Sequence, residues 1–171
     1  LEDVIEVNNY PLPEIEALAK GNRRIGLGVM GWAEALVKTA TAYADPEACK
    51  LGDKVMSFIN GAALDASEKI ALERGIFPNW EDSTYDPASK HFRGDKRLPR
   101  HCARTTIAPT GTIAIAAGLQ GGGIEPFFAI AYTRYNAKAL ELIKAGKEPH
   151  DKDVFFEVNP LFRELAEKNK W

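Results

Sequence analysis

Apolar residues recur every three or four positions at Leu51, Val55, Phe58, Ile59, Ala62, Ala66 and Ile70, the period of one buried helical face. Asp45 stands where an N-cap belongs and Pro46 suits the first helical position. With Gly75 and Pro78 beyond, the spacing predicts a helix from Pro46 to Gly75. Leu1 to Ile5 reads as the end of a helix, and residues 8–13 as a proline-bearing loop. A short helix is expected from Pro13 to Lys20, stopping at Gly21, and another from Gly31 to about Thr39 after the Ile25–Val29 run. Residues 76–101 are polar, aromatic and proline-bearing, the pattern of a long surface excursion. Thr105 to Ala108 is expected to be a short buried strand, Pro109–Thr112 a turn, and Ile113–Ala117 a small-residue helix or strand. Phe127–Tyr132 reads as an inner strand, residues 146–153 as a polar loop, and Pro160–Lys168 as a final helix. Strands alternating with helices make the expected class α/β, with residues 1–171 one stretch without an internal boundary.

Composition narrows the function classes. Of 171 residues, 45% are hydrophobic and 27% charged, enough apolar material for a folded chain. Lys plus Arg is 22 against 24 Asp plus Glu, a net charge of -2, which argues against a nucleic-acid surface. No apolar run approaches a membrane span and no signal peptide is visible, so a cytoplasmic location is the default expectation. Cys49 and Cys102 have neither metal spacing nor the look of a disulfide framework. The chain begins at Leu1 rather than at a methionine, and a piece of something longer is expected.

Three motifs could carry chemistry. Gly26-Leu-Gly28-Val-Met-Gly31 is a literal G-x-G-x-x-G, the pattern of a dinucleotide site and of an NAD(P)-dependent dehydrogenase. The segment before it, Gly21-Asn22-Arg23-Arg24, is not a buried strand; Asp45 or Glu47 could serve as the ribose acid by distance, but Asp45 is already explained as a helix cap. Glycines that permit close packing are therefore the preferred reading. Pro109-Thr110-Gly111-Thr112-Ile113 lies between an expected strand and a helix. It could leave backbone N–H groups free for an anion, or be a turn capped by Thr110 or Thr112; local sequence leaves both open. On the first reading alone it could equally serve a non-catalytic nucleotide-binding module. Gly121-Gly122-Gly123-Ile124-Glu125-Pro126 suits close chain approach, with Glu125 expected to be a satisfied structural carboxylate. His91 and His101 lack companion ligands at metal spacing and are expected on the exposed loop. Tyr132 and Tyr135 are expected to pack.

Five blocks in order carry a resemblance. They are Arg24-Ile-Gly-Leu-Gly-Val-Met-Gly-Trp-Ala-Glu-Ala-Leu, Ala71-Leu-Glu-Arg-Gly-Ile-Phe-Pro-Asn-Trp, Thr106-Ile-Ala-Pro-Thr-Gly-Thr-Ile, Gly123-Ile-Glu-Pro-Phe-Phe-Ala-Ile-Ala-Tyr-Thr-Arg and Phe156-Glu-Val-Asn-Pro-Leu-Phe. The chain resembles the large subunit of ribonucleotide reductases from about Asp3 to Trp171, most closely the class II, adenosylcobalamin-dependent type. The resemblance implies part of a ten-stranded α/β barrel, its second half, with the substrate diphosphate held by Pro109, Thr110, Gly111, Thr112 and Ile113. It moves the Gly26–Gly31 motif to packing.

The implied substrate is a ribonucleoside diphosphate or triphosphate, and the implied partner is the N-terminal half of the barrel; a homodimer is compatible with it. In the family a thiyl radical on a finger-loop cysteine removes the ribose 3′ hydrogen, a glutamate assists loss of the 2′ hydroxyl, and a cysteine pair supplies electrons. No Cys-x-Glu occurs here; it would lie upstream of Leu1, and neither Cys49 nor Cys102 inherits a redox role. No catalytic residue, metal ligand or cobalamin contact is therefore assigned to this stretch. Two departures stand out: Gly121-Gly122 in place of a Ser-containing turn, and Arg100-His101-Cys102-Ala103 against the usual Arg-Asn-Ala. Both are expected to bear on the geometry of the phosphate loop.

Overall fold

The computed structural model describes residues 1–170. Among these the elements are α1 (Glu2–Val7), α2 (Pro13–Asn22), α3 (Trp32–Lys38), α4 (Pro46–Arg74), α5 (Gly111–Ala116), β1 (Ala131–Tyr135), α6 (Ala137–Lys144), β2 (Val154–Val158) and α7 (Pro160–Asn169). Short 3-10 turns occupy Pro78–Trp80 and Asp151–Asp153. The chain divides into two compact units: residues 1–29 with 44–108, and residues 30–43 with 109 onward.

In the first unit the Asp45 side chain accepts the Glu47 amide at 2.9 Å, and Gly75 ends α4 at a φ of 80°, as the caps predict. The apolar stripe of α4 is a different matter. Leu51, Val55, Ile59 and Ile70 are half-buried, Ala62 and Ala66 are exposed and Phe58 is 78% exposed, while the buried positions are Ala48 and Ser67. The periodicity is thus real, but only part of the stripe is covered. α2 runs two residues beyond the expected end and stops at Arg23, in the left-handed region with φ 50°.

Residues 76–101 wrap a small core of their own. Phe77 is fully buried, edge-on to Tyr85 at 6.3 Å, and Trp80 Nε1 donates to the Arg97 carbonyl at 2.8 Å. The strand expected over Thr105–Ala108 reduces to one parallel bridge, Leu27 with Thr105. Around it the Ile25 amide donates to Ala103 O, Leu27 to Arg104 O and Thr106 to Leu27 O, all within 3.0 Å. Ile107 is half exposed, so no buried strand continues.

In the second unit β1 and β2 form an antiparallel pair, with Ala131 opposite Val158 and Tyr135 opposite Val154. The inner strand expected over Phe127–Tyr132 is instead Ala131–Tyr135, exposed at all five positions, and Phe128 is 96% exposed. The buried apolar residues are small or few: Ala33, Leu36, Ala114 and Ala139. Asn136 caps α6 through the Ala139 amide, and Asn159 caps α7 through the amides of Leu161 and Phe162. Helix and strand are mixed, as the α/β expectation has it, yet the described sheet is a two-stranded antiparallel ribbon and is not closed.

Candidate functional site

Thr110 stands at the head of α5 with φ 53° and ψ 14°, a left-handed conformation that costs a β-branched residue about 1–2 kcal/mol. It holds the N-cap position without capping: its side chain makes no cap bond, and among the described residues its buried Oγ1 has no partner. The first main-chain bond of the helix runs from the Ala114 amide to the Thr110 carbonyl at 2.8 Å. The amides of Gly111, Thr112 and Ile113 precede it and find no acceptor among the described residues, as at any uncapped helix start. Gly111, Thr112 and Ile113 are exposed. The side-chain-capped turn, one of the two readings open from sequence, is therefore not what forms. What forms is a strained turn with a buried, unpartnered hydroxyl beside three amides that find no acceptor among the described residues.

The glycine run packs against this loop within the same unit. A Cβ on Gly122 would lie 2.9 Å from the Pro109 carbonyl oxygen and 2.0 Å from Glu125 Oε1, closer than any real side chain sits. A serine in place of Gly122 would have to displace both, the Glu125 carboxylate by the larger amount. The Gly122 and Gly123 carbonyls accept the amides of Gly31 and Trp32, at 2.9 and 3.2 Å, tying the start of α3 to the same turn. Glu125 corrects its expectation: it is exposed and, among the described residues, has no hydrogen bond or ion pair.

The G-x-G-x-x-G motif does not make a dinucleotide site. Gly28 lies so close to the 106 segment that a Cβ would stand 2.4 Å from the Thr106 carbonyl oxygen. Gly31, at φ 74°, opens α3, and the amides a pyrophosphate would need are already taken by Gly122 and Gly123. The glycines serve close packing. Cys49 and Cys102 are both free thiols.

A second concentration of chemistry, in the first unit, escaped the sequence reading. His91 is exposed as expected, but His101 is 1% exposed and sits in a buried polar cluster. Its Nε2 lies 2.8 Å from Glu2 Oε2 and its Nδ1 2.8 Å from Ser67 Oγ. Glu2 also accepts from Arg23 Nε (3.2 Å) and Arg100 Nε (2.8 Å). Burial alone would raise the Glu2 carboxyl, but the hydrogen bonds and charges of Arg23 and Arg100 outweigh it and hold the group at about 2. Burial lowers the His101 ring below its ordinary value, with the two arginines adding and Glu2 opposing. Neighbouring Arg104 donates to the Tyr85 hydroxyl at 3.0 Å and lies over its ring at 5.9 Å. Nothing local in the sequence marks this cluster, because Glu2 and His101 are 99 positions apart.

Residues 1–171 match the family described as "Ribonucleotide reductase, barrel domain". Among similar curated proteins is the vitamin B12-dependent ribonucleoside-diphosphate reductase of Thermoplasma acidophilum, 43% identical over 164 residues, covering 96% of this chain and 19% of that protein. The enzyme of the same name from Mycobacterium tuberculosis is 42% identical over 167 residues, 97% of this chain and 21% of its own length. The ribonucleoside-diphosphate reductase subunit alpha of Chlamydia trachomatis is 30% identical, over 80% of this chain and 16% of its length. The chain thus spans about a fifth of the length of these two vitamin B12-dependent relatives.

Proposed function

Because the chain belongs to the ribonucleotide reductase barrel-domain family, we propose that it is the substrate-phosphate-holding segment of a vitamin B12-dependent ribonucleoside-diphosphate reductase. In this reading the whole enzyme converts ribonucleotides to 2′-deoxyribonucleotides, and this stretch is the second half of a ten-stranded α/β barrel completed by an N-terminal half. Thr110, Gly111, Thr112 and Ile113 hold the diphosphate through backbone amides and threonine hydroxyls, and Pro109, which has no N–H to donate, shapes the turn that presents them. The observation that carries the assignment is the buried, unpartnered Oγ1 of Thr110 on a left-handed turn beside three amides without acceptors. Such a turn is poised to donate to an anion without first breaking internal bonds. The relatives' names state dependence on vitamin B12, and adenosylcobalamin is the cofactor we assign to the whole enzyme on that ground; no cobalamin contact is assigned to this chain. Among the described residues no helix is long and apolar enough to cross a membrane. The dehydrogenase reading falls with the occupied amides at Gly31 and Trp32.

Amide chemical shifts of the 171-residue chain, followed during titration with a nucleoside diphosphate, test the assignment. The amides of Gly111, Thr112 and Ile113 should move, and Thr110→Val should weaken the binding about tenfold, the worth of one hydrogen bond to a charged group. Shifts confined to other segments, or unchanged affinity in Thr110→Val, would remove the loop from the site.

A further inference from the structure

Thr110 cannot hold its own conformation. A β-branched residue at φ 53° is strained, its hydroxyl makes no cap bond, and α5 behind it is only six residues long. At its far end α5 closes on itself in a Schellman ending: Gly118, at φ 74°, donates to the Ile115 carbonyl at 3.0 Å and Leu119 to the Ala114 carbonyl at 2.9 Å. At its near end the Pro109 carbonyl abuts Gly122, where an added Cβ would stand 2.9 Å from the oxygen. The strained turn is therefore bounded by the return segment, residues 119–124, and its shape depends on what fixes that segment.

Within the same unit, residues 31–43 fix it. The Gly31 and Trp32 amides, at the start of α3, donate to the Gly122 and Gly123 carbonyls at 2.9 and 3.2 Å. Glu34, in the first turn of that helix, returns the bond: its Oε1 accepts the Gln120 amide at 2.5 Å. Leu119 lies against Gly31, where a Cβ would come within 3.1 Å of its side chain, and the Tyr43 hydroxyl donates to the Ile124 carbonyl at 2.8 Å. The exchange resembles a capping box made between two segments rather than within one helix. Its charged member is Glu34, and a carboxylate accepting a backbone amide makes a stronger bond than a neutral pair.

We propose that Glu34 is a positioning residue for the phosphate loop: by holding the Gln120 amide it keeps the return segment against Pro109, and so keeps Thr110 in its strained turn. The role rests on the reading of Thr110–Ile113 as the phosphate site and adds the residue that shapes the site before an anion arrives. Without the carboxylate, Thr110 relaxes toward the unstrained regions of backbone space, and each binding event must first restore the turn. Glu34 acts through Gln120 and not on the anion, so its removal is felt first in the free chain and then as a loss of affinity.

The test has two arms, and the first needs no ligand. In amide spectra of the free 171-residue chain, Glu34→Ala should shift and broaden Thr110–Ile113 and speed exchange at the Gln120 amide, while α6 and α7 of the same unit stay unchanged. Glu34→Gln, which keeps a side-chain oxygen to accept that amide, should restore both. In the second arm, ADP should bind Glu34→Ala about three- to tenfold more weakly than the parent, and Glu34→Gln close to the parent, as the populated fraction of the competent turn falls and returns. Failure of the phosphate reading looks different: the free spectra respond as stated, and the turn is held by Glu34, yet ADP moves none of Gly111–Ile113 in the parent. Unchanged Thr110–Ile113 resonances in Glu34→Ala, a change that spreads through α6 and α7, a glutamine no better than alanine, or parental ADP affinity in Glu34→Ala would each overturn the positioning role.

Discussion

At the scale of single residues, empty space beside a glycine decides what a methyl group does. A Cβ on Gly28 would meet the Thr106 carbonyl oxygen at 2.4 Å, and backbone cannot swing aside as a side chain can. Gly61, inside α4, has nothing within 4 Å of the same position. Gly28→Ala should therefore cost about 2–3 kcal/mol by overpacking, while Gly61→Ala should gain about 0.5–1 kcal/mol through helix propensity. Chemical denaturation of the two variants checks the opposite signs. The same scale shows what could be read in advance. Asp45 as a cap needs only its neighbours, so it was legible. Thr110 was legible as a loop residue with chemistry, but whether its hydroxyl would cap the helix or stay unused depends on its backbone angle. His101 was misplaced on the surface because its burial is made by Glu2 and Ser67, distant in sequence.

At the scale of elements, two helices that open on a proline form where expected: α4 from Pro46 behind the Asp45 cap, and α7 from Pro160, whose Asn159 cap the structure adds. The two missed elements, α6 and β2, carry weaker marks. Asn136 before Ala137 is an N-cap without a following proline, and Val154-Phe-Phe-Glu-Val158 is β-rich but lacks alternation. How an element is anchored sets what removing one residue costs. Asp45→Ala loses a surface cap, worth about 1 kcal/mol. Glu2→Gln should cost more, about 3 kcal/mol, since it removes the interior carboxylate shared by Arg23, Arg100 and His101 and leaves the two guanidiniums only the more exposed Glu6. Because the Glu2 carboxyl lies at about 2 in the fold against an ordinary 4.5, its stabilisation is complete above pH 4.5 and is lost as the pH falls toward 2. Acid titration followed by circular dichroism should show that loss in the parent chain and its absence in Glu2→Gln.

For the whole molecule, the balance of surface and core matters most. Large apolar side chains stand in solvent in both units: Leu72 is 89% exposed in the first, and Phe128 and Phe156 are at least 72% exposed in the second. The last two line a cleft of about 510 Å³ together with Tyr132, Pro160 and Arg163. Uncovered apolar surface and two open strand edges favour association. The isolated chain should therefore self-associate at micromolar concentration, and the double variant Phe128→Ser, Phe156→Ser should sediment closer to a monomer. The chain should also fail to reduce a ribonucleoside diphosphate when supplied with adenosylcobalamin and a dithiol, since the finger-loop Cys-x-Glu that the resemblance calls for does not occur among its 171 residues. Measured deoxynucleotide formation by the chain alone would contradict that expectation.

The sequence by itself determined the features that depend on neighbours along the chain: the ends of α4, the packing role of Gly26 and Gly28, and, through five ordered blocks, the family; the turn expected over Pro109–Thr112 gives way to α5 from Gly111 onward. Only the tertiary structure decided which apolar stripes are covered, that the strand near Phe127 is an exposed ribbon, and that Glu2, Ser67 and His101 share one buried hydrogen-bond chain. Caps and turns are satisfied within a few residues. Burial and charge pairing are made between segments that meet only after the chain has folded.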